Sequence, residues 1–111
     1  MDWIDGIDKV SGNGAQWGAA SDDLNATLVH WEKGKGVAPH TNTEVDVVMV
    51  TLSGDGEVVV DGSVTMVRQG TVLVIPKGAE REVRATSDLV YVNVHRRRFG
   101  LQLSAGRPSA R

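Results

Sequence analysis

Along most of the chain, hydrophobic and polar residues alternate with the two-residue period of half-buried strands. From Leu24 to Glu32, one face carries Leu24, Ala26, Leu28 and His30, and the other carries Asn25, Thr27, Val29 and Trp31. Val45 to Leu52 departs from this rule: Val45, Val47 and Met49 lie on one face, and Val48, Val50 and Leu52 on the other. A strand that is apolar on both sides is predicted to meet a second sheet or a second subunit on its outer face. Short runs rich in β-branched residues follow at 58–60, 64–67 and 72–75, and strand patterns recur at 81–85 and 89–95. Asp55-Gly56 and Asp61-Gly62 are hairpin signals, and Pro76-Lys77-Gly78 marks another turn. About seven or eight short strands at this spacing, with no strand–helix–strand unit, predict an all-β antiparallel sandwich or barrel.

The N-terminus is different in character. Trp3, Ile4, Ile7 and Val10 recur at near-helical spacing behind Asp2, a candidate N-cap, although Gly6 weakens a helix by about 1 kcal/mol relative to Ala. Residues 1–14 are therefore predicted to form a short helix or an extended arm, ended by Ser11-Gly12-Asn13-Gly14. Residues 15–103 make one barrel domain, and 104–111 a flexible tail beyond Leu101 and Leu103, the last residues expected to pack.

Composition narrows the chemistry. With 111 residues, 41% of them hydrophobic, the chain can bury one core, and the lack of cysteine excludes disulfides, thiolate metal sites and cysteine nucleophiles. No apolar run approaches the roughly 18 residues of a membrane span, and the acidic start is unlike a secretory signal, so a cytoplasmic protein without a membrane partner is expected. The net charge of −2 conceals an asymmetry: residues 1–61 hold eleven acids and three bases, residues 62–111 nine bases and three acids. Arg96-Arg97-Arg98 is too small a basic footprint for nucleic acid in a chain of pI 5.8, and is expected to pair with the acidic half, within one subunit or across a dimer. No nucleophile elbow or phosphate loop is present.

Two glycine- and proline-punctuated stretches carry a family resemblance. Gly34, five residues, His40, one residue and Asn42, closed by Gly54, resembles the first cupin motif. Gly70, five residues, Pro76, one residue and Gly78 resembles the start of the second, and 15 residues separate the two. The chain is thus similar to small single-domain cupins, which implies a jelly-roll barrel, a double-stranded antiparallel β-barrel, and a tendency to form homodimers. Exposed apolar surface at Trp3 and Trp17 points the same way.

In a typical metal-binding cupin, two histidines and a glutamate of the first motif and a histidine of the second hold the ion. His40 stands at the first position, Asn42 at the second, Val47 at the glutamate and Arg81 at the last histidine, while Ala85 replaces an asparagine. A divalent metal would thus depend on His40 alone, against a permanently charged guanidinium. The expected site is instead a metal-independent pocket of His40, Asn42, Glu44, Asp46 and Arg81, with Glu44 or Asp46 as the carboxylate partner of Arg81. Its ligand is expected to be a small molecule, and an anionic one suits Arg81. Two alternatives stand beside it. One is a metal-dependent dioxygenase or isomerase using His40 with Glu44 or Asp46 and His95. The other is an interaction domain with a vestigial pocket. His30 is expected to be a hydrogen-bonded structural histidine, and His95 a surface or interface residue.

Overall fold

A computed structural model describes residues 1–97. Among these residues nine strands form two antiparallel sheets: β1 (Gly14–Ala20), β2 (Leu24–Trp31), β3 (Gly36–Thr41), β4 (Val47–Ser53), β5 (Asp55–Val60), β6 (Ser63–Arg68), β7 (Val72–Ile75), β8 (Glu80–Ala85) and β9 (Leu89–Arg96). The five-stranded sheet has the order β1-β2-β9-β4-β7, and the four-stranded sheet β3-β8-β5-β6. Strands thus cross repeatedly between layers, the double-sheet jelly roll that the punctuation predicts. Between the layers pack Val29, Met49, Val58, Val67, Ile75, Val83, Ala85, Leu89 and Tyr91. Among the described residues, no helix is long and apolar enough to cross a membrane.

Several local expectations need correction. Two strands, β1 and β3, escape the hydrophobic pattern, and each lies at the edge of its sheet. β1 is built of small residues around Trp17, and β3 contains Pro39, which an edge strand tolerates because one side of its ladder is open. Asp55-Gly56 is not a turn but the start of β5; the chain changes sheets one residue earlier, at Gly54. Asp61-Gly62 is the predicted hairpin, with φ of 48° and 83° joining paired Val60 and Ser63. In the N-terminal arm only Ile7–Lys9 form a 3-10 turn, entered from Gly6. Asp2 caps no helix; its carboxylate accepts the Ala20 N–H at 3.1 Å and ties the arm to β1. Arg98, Leu101, Leu103 and the predicted tail lie outside the described residues.

Gly54 is the glycine the fold depends on most directly. Its φ is +81°, and a Cβ there would lie 1.7 Å from the carbonyl oxygen of Asp88. Gly70, at φ +90°, has open space around it. Gly70→Ala is therefore expected to lose only the left-handed penalty of about 1–2 kcal/mol. Gly54→Ala must also displace backbone and is expected to lose distinctly more. Urea unfolding of the two variants checks this ordering.

Candidate functional site

Beside the packed core, between the two sheets, lies a cavity of about 250 Å³. Its polar wall is made by Thr27, His40, Asn42, Arg81, Asn93 and His95, and its floor by Val37, Val47, Met49, Ile75, Val83 and Tyr91. Strand alternation places them. On β8, Arg81, Val83 and Ala85 turn inward, whereas Glu80, Glu82 and Arg84 face solvent, where Arg84 bridges Glu57 at 3.1 Å and Glu82 at 2.7 Å. Arg81 is only 7% exposed and pairs across the ladder with His40. From the opposite sheet, Asn93 of β9 stands between Thr27 of β2 and Met49 of β4.

The hydrogen bonds define what the wall offers. Asn42 Oδ1 accepts the N–H groups of Glu44 at 2.8 Å and Val45 at 3.4 Å, and its backbone carbonyl accepts the Gly78 N–H at 2.7 Å. Those bonds assign the amide orientation and join the two motifs. The Asn42 Nδ2 donor is buried and has no hydrogen-bond partner among the described residues. His40 Nδ1 lies 3.2 Å from the Ala38 carbonyl, and His95 Nδ1 lies 2.7 Å from that of Arg96. A carbonyl only accepts, so in these bonds each ring donates from Nδ1. Below them, Tyr91 is 1% exposed and its hydroxyl accepts the Trp31 Nε1–H at 2.9 Å. Burial pushes the Tyr91 phenol up from 10.0 to about 12, against the opposing effect of the Trp31 bond.

Of the sequence-derived candidates, His40, Asn42 and Arg81 come together around the cavity, and Glu44 and Asp46 are not among the residues lining it. The Asp46 carboxylate accepts the Lys77 N–H at 2.8 Å and holds the Pro76–Gly78 turn. Glu44 borders a shallow hollow with His40 to Thr43, and its carbonyl accepts Arg96 Nη2 at 3.2 Å. Arg97 likewise reaches a carbonyl, that of Ser21, at 3.0 Å. His30 sits 2.6 Å from the Gly12 carbonyl through Nδ1, in the structural role expected of it. Thr27, Tyr91 and Asn93 were not singled out by sequence, and His95 lies in the cavity wall rather than on the surface. The signal was the 89–95 alternation, which sets Tyr91, Asn93 and His95 on one face against three valines, Val90, Val92 and Val94, on the other.

The donors do not fit a transition metal. Val47 is 3% exposed and puts hydrocarbon at the carboxylate position, Arg81 puts a cation at the imidazole position, and the Asn42 oxygen is engaged by two backbone N–H groups. Among the described residues, no three of His, Cys, Asp and Glu form a group able to hold a metal ion.

The sequence profile of the Cupin domain matches residues 27–95. No curated protein matches the chain. Among solved structures it is similar to KdgF from Halomonas sp., at 24% identity and a TM-score of 0.71 over 91% of each chain. It is also similar to a conserved protein with a double-stranded β-helix domain from Klebsiella pneumoniae, at 17% identity and a TM-score of 0.73, covering 86% of this chain and 90% of that one. Salicylate 1,2-dioxygenase from Pseudoaminobacter salicylatoxidans aligns at 16% identity and a TM-score of 0.66, over 77% of this chain but 23% of its own. Likenesses at these identities establish the fold.

Tyr91 is the one tyrosine of the chain, so phenolate absorbance reads it alone. Folded protein is expected to titrate near pH 12 rather than 10. Between those values only the unfolded state ionises, so stability falls as pH rises through the window, by about 2–3 kcal/mol in all. Tyr91→Phe removes that component; a folded-state midpoint near 10 would contradict the burial.

Proposed function

The chain belongs to the cupin domain family through residues 27–95, and on that premise we propose that it binds a small organic anion in the cavity between its sheets. The observation that carries this reading is the convergence on one cavity of a buried guanidinium, that of Arg81, and the Asn42 Nδ2 donor, which has no hydrogen-bond partner among the described residues. A guanidinium binds a carboxylate through two parallel charge-assisted hydrogen bonds, and a low-dielectric wall strengthens them. The His40 and His95 rings in the same wall add hydrogen-bonding groups for hydroxyls on the same molecule. A volume of about 250 Å³ lies below the range of drug-sized pockets and suits a small hydroxy acid. A metal-dependent dioxygenase or isomerase would need a carboxylate or a third imidazole beside His40 and His95, and among the described residues the lining has neither.

The reading is tested by calorimetry and thermal shift with a panel of small mono-, di- and hydroxycarboxylates. A saturable ligand is expected among them, and Arg81→Gln is expected to weaken it at least tenfold, which is about 1.4 kcal/mol. Asn42→Asp separates binding from folding. Its carboxylate still accepts the Glu44 and Val45 N–H groups, but a charged acceptor replaces the donor, so the protein should stay folded and lose the anion. Failure of every carboxylate to bind, or binding unchanged in both variants, would overturn the proposal.

A further inference from the structure

Ser11-Gly12-Asn13-Gly14, where the N-terminal arm turns into β1, takes no part in the cavity. The arm doubles back along β1 and is tied to it at several points. Asp2 accepts the Ala20 N–H, Trp17 Nε1–H donates to the Asp5 carbonyl at 3.3 Å, and the Gln16 amide exchanges bonds with the Ser11 backbone at 3.2 and 3.0 Å. Two further anchors lie where the arm ends. His30 Nδ1 is 2.6 Å from the Gly12 carbonyl, and Asn13 clasps Glu32 twice: its Nδ2–H donates to Oε1 at 3.0 Å, and its Oδ1 accepts the Glu32 backbone N–H at 2.8 Å. What the arm covers is apolar, since Leu28 is fully buried beside a hollow bordered by Asp5, Gly6, Lys9 and Val10. Beyond the arm the same outer face is open, with Val72 59% and Val74 66% exposed.

We propose that Asn13 is a modification site: conversion of its side-chain amide to a carboxylate opens the Glu32 clasp and loosens the arm from Leu28. The chain has four asparagines, and Asn13 is the one followed by glycine. A backbone nitrogen can attack the side-chain carbonyl carbon of the asparagine before it, and a side chain on the attacking residue hinders that approach. Asn25, Asn42 and Asn93 precede Ala26, Thr43 and Val94, whereas Gly14, at φ +108°, has open space where a side chain would stand. In the step, a base takes the Gly14 N–H proton, the nitrogen bonds to Asn13 Cγ, and the Cγ–Nδ2 bond breaks to release ammonia. Water then opens the cyclic imide at either carbonyl, leaving aspartate or, with the backbone rerouted through Cβ, isoaspartate. Glu32 sets both the rate and the consequence. While it engages both ends of the amide, the side chain is not free to swing onto the Gly14 nitrogen, so the clasp guards the site. After conversion only the bond from the Glu32 N–H can survive. Oε1 has lost its donor, and a new carboxylate faces the old one at hydrogen-bond distance, where like charges repel. An attractive contact thus becomes a repulsive one at the point where the arm joins the sheet.

Peptide mapping by mass spectrometry, after incubation of the full chain in mildly alkaline buffer, tests the site. Asn13 is expected to convert before Asn25, Asn42 and Asn93, and in Glu32→Ala to convert at least about threefold faster, the equivalent of one lost hydrogen bond. Brief trypsin treatment reads the arm, because cutting after Lys9 frees residues 1–9. Asn13→Asp, and wild-type protein aged to partial conversion, are both expected to be cut there at least about threefold faster than fresh protein, with the barrel still folded by circular dichroism. Survival of Asn13 for as long as the other three asparagines, conversion indifferent to Glu32→Ala, or cleavage after Lys9 unchanged in the aged and Asn13→Asp proteins would each overturn the proposal.

Discussion

The register of β9 is the constraint on which the molecule depends. It is paired along its length with β2 on one side and β4 on the other, so each of its side chains is committed to one face. Tyr91, Asn93 and His95 face the cavity, while Val90, Val92 and Val94 face away. A slip of one residue would fill the cavity with valine and expose the polar set on the outside. The ladder is pinned from within, because Trp31, on the neighbouring strand, donates to the Tyr91 hydroxyl on the inner face of the same sheet. A bulge between Thr51 and Ser53 then lets β4 leave this sheet toward Gly54 without carrying the register error into β9.

The barrel and its chemistry rest on different residues. Gly54 and the Asp61-Gly62 hairpin shape strand ends and are not among the residues lining the cavity. The four positions at which metal-binding cupins place ligands still converge here, as His40, Asn42, Val47 and Arg81. What has changed is the sign of the site. A guanidinium repels a dication at a few ångströms, which is the electrostatic ground on which an anionic guest is proposed. Asn42 combines both functions: its oxygen caps the turn into β4, and its nitrogen is left facing outward from that turn as a donor.

Much of this was legible in the residues. Motif spacing located His40, Asn42 and Arg81, and the doubly apolar run of Val45 to Leu52 marked the outer face that the structure leaves open. The edge strands were not legible: the small residues of β1 give no periodic signal, and Pro39 in β3 reads as a breaker unless the strand is known to be an edge. Asp46 illustrates a different limit. Proximity in sequence placed it beside the first motif, but its carboxylate is captured by the Lys77 backbone, a bond made only once the two motifs have met. Asn93 and His95 had the correct alternation, yet nothing local says which face of β9 is the cavity.

The central claim is that this cavity is an anion site and not a metal site. Nitrogen-15 NMR of the Arg81 guanidinium and the His40 and His95 rings tests it directly, during separate titrations with a binding hydroxy acid and with paramagnetic nickel. The account predicts that the anion shifts all three side chains together to saturation and that nickel at substoichiometric levels leaves the two rings sharp. Selective broadening of His40 and His95 by nickel, with Arg81 unmoved by any anion, would contradict it.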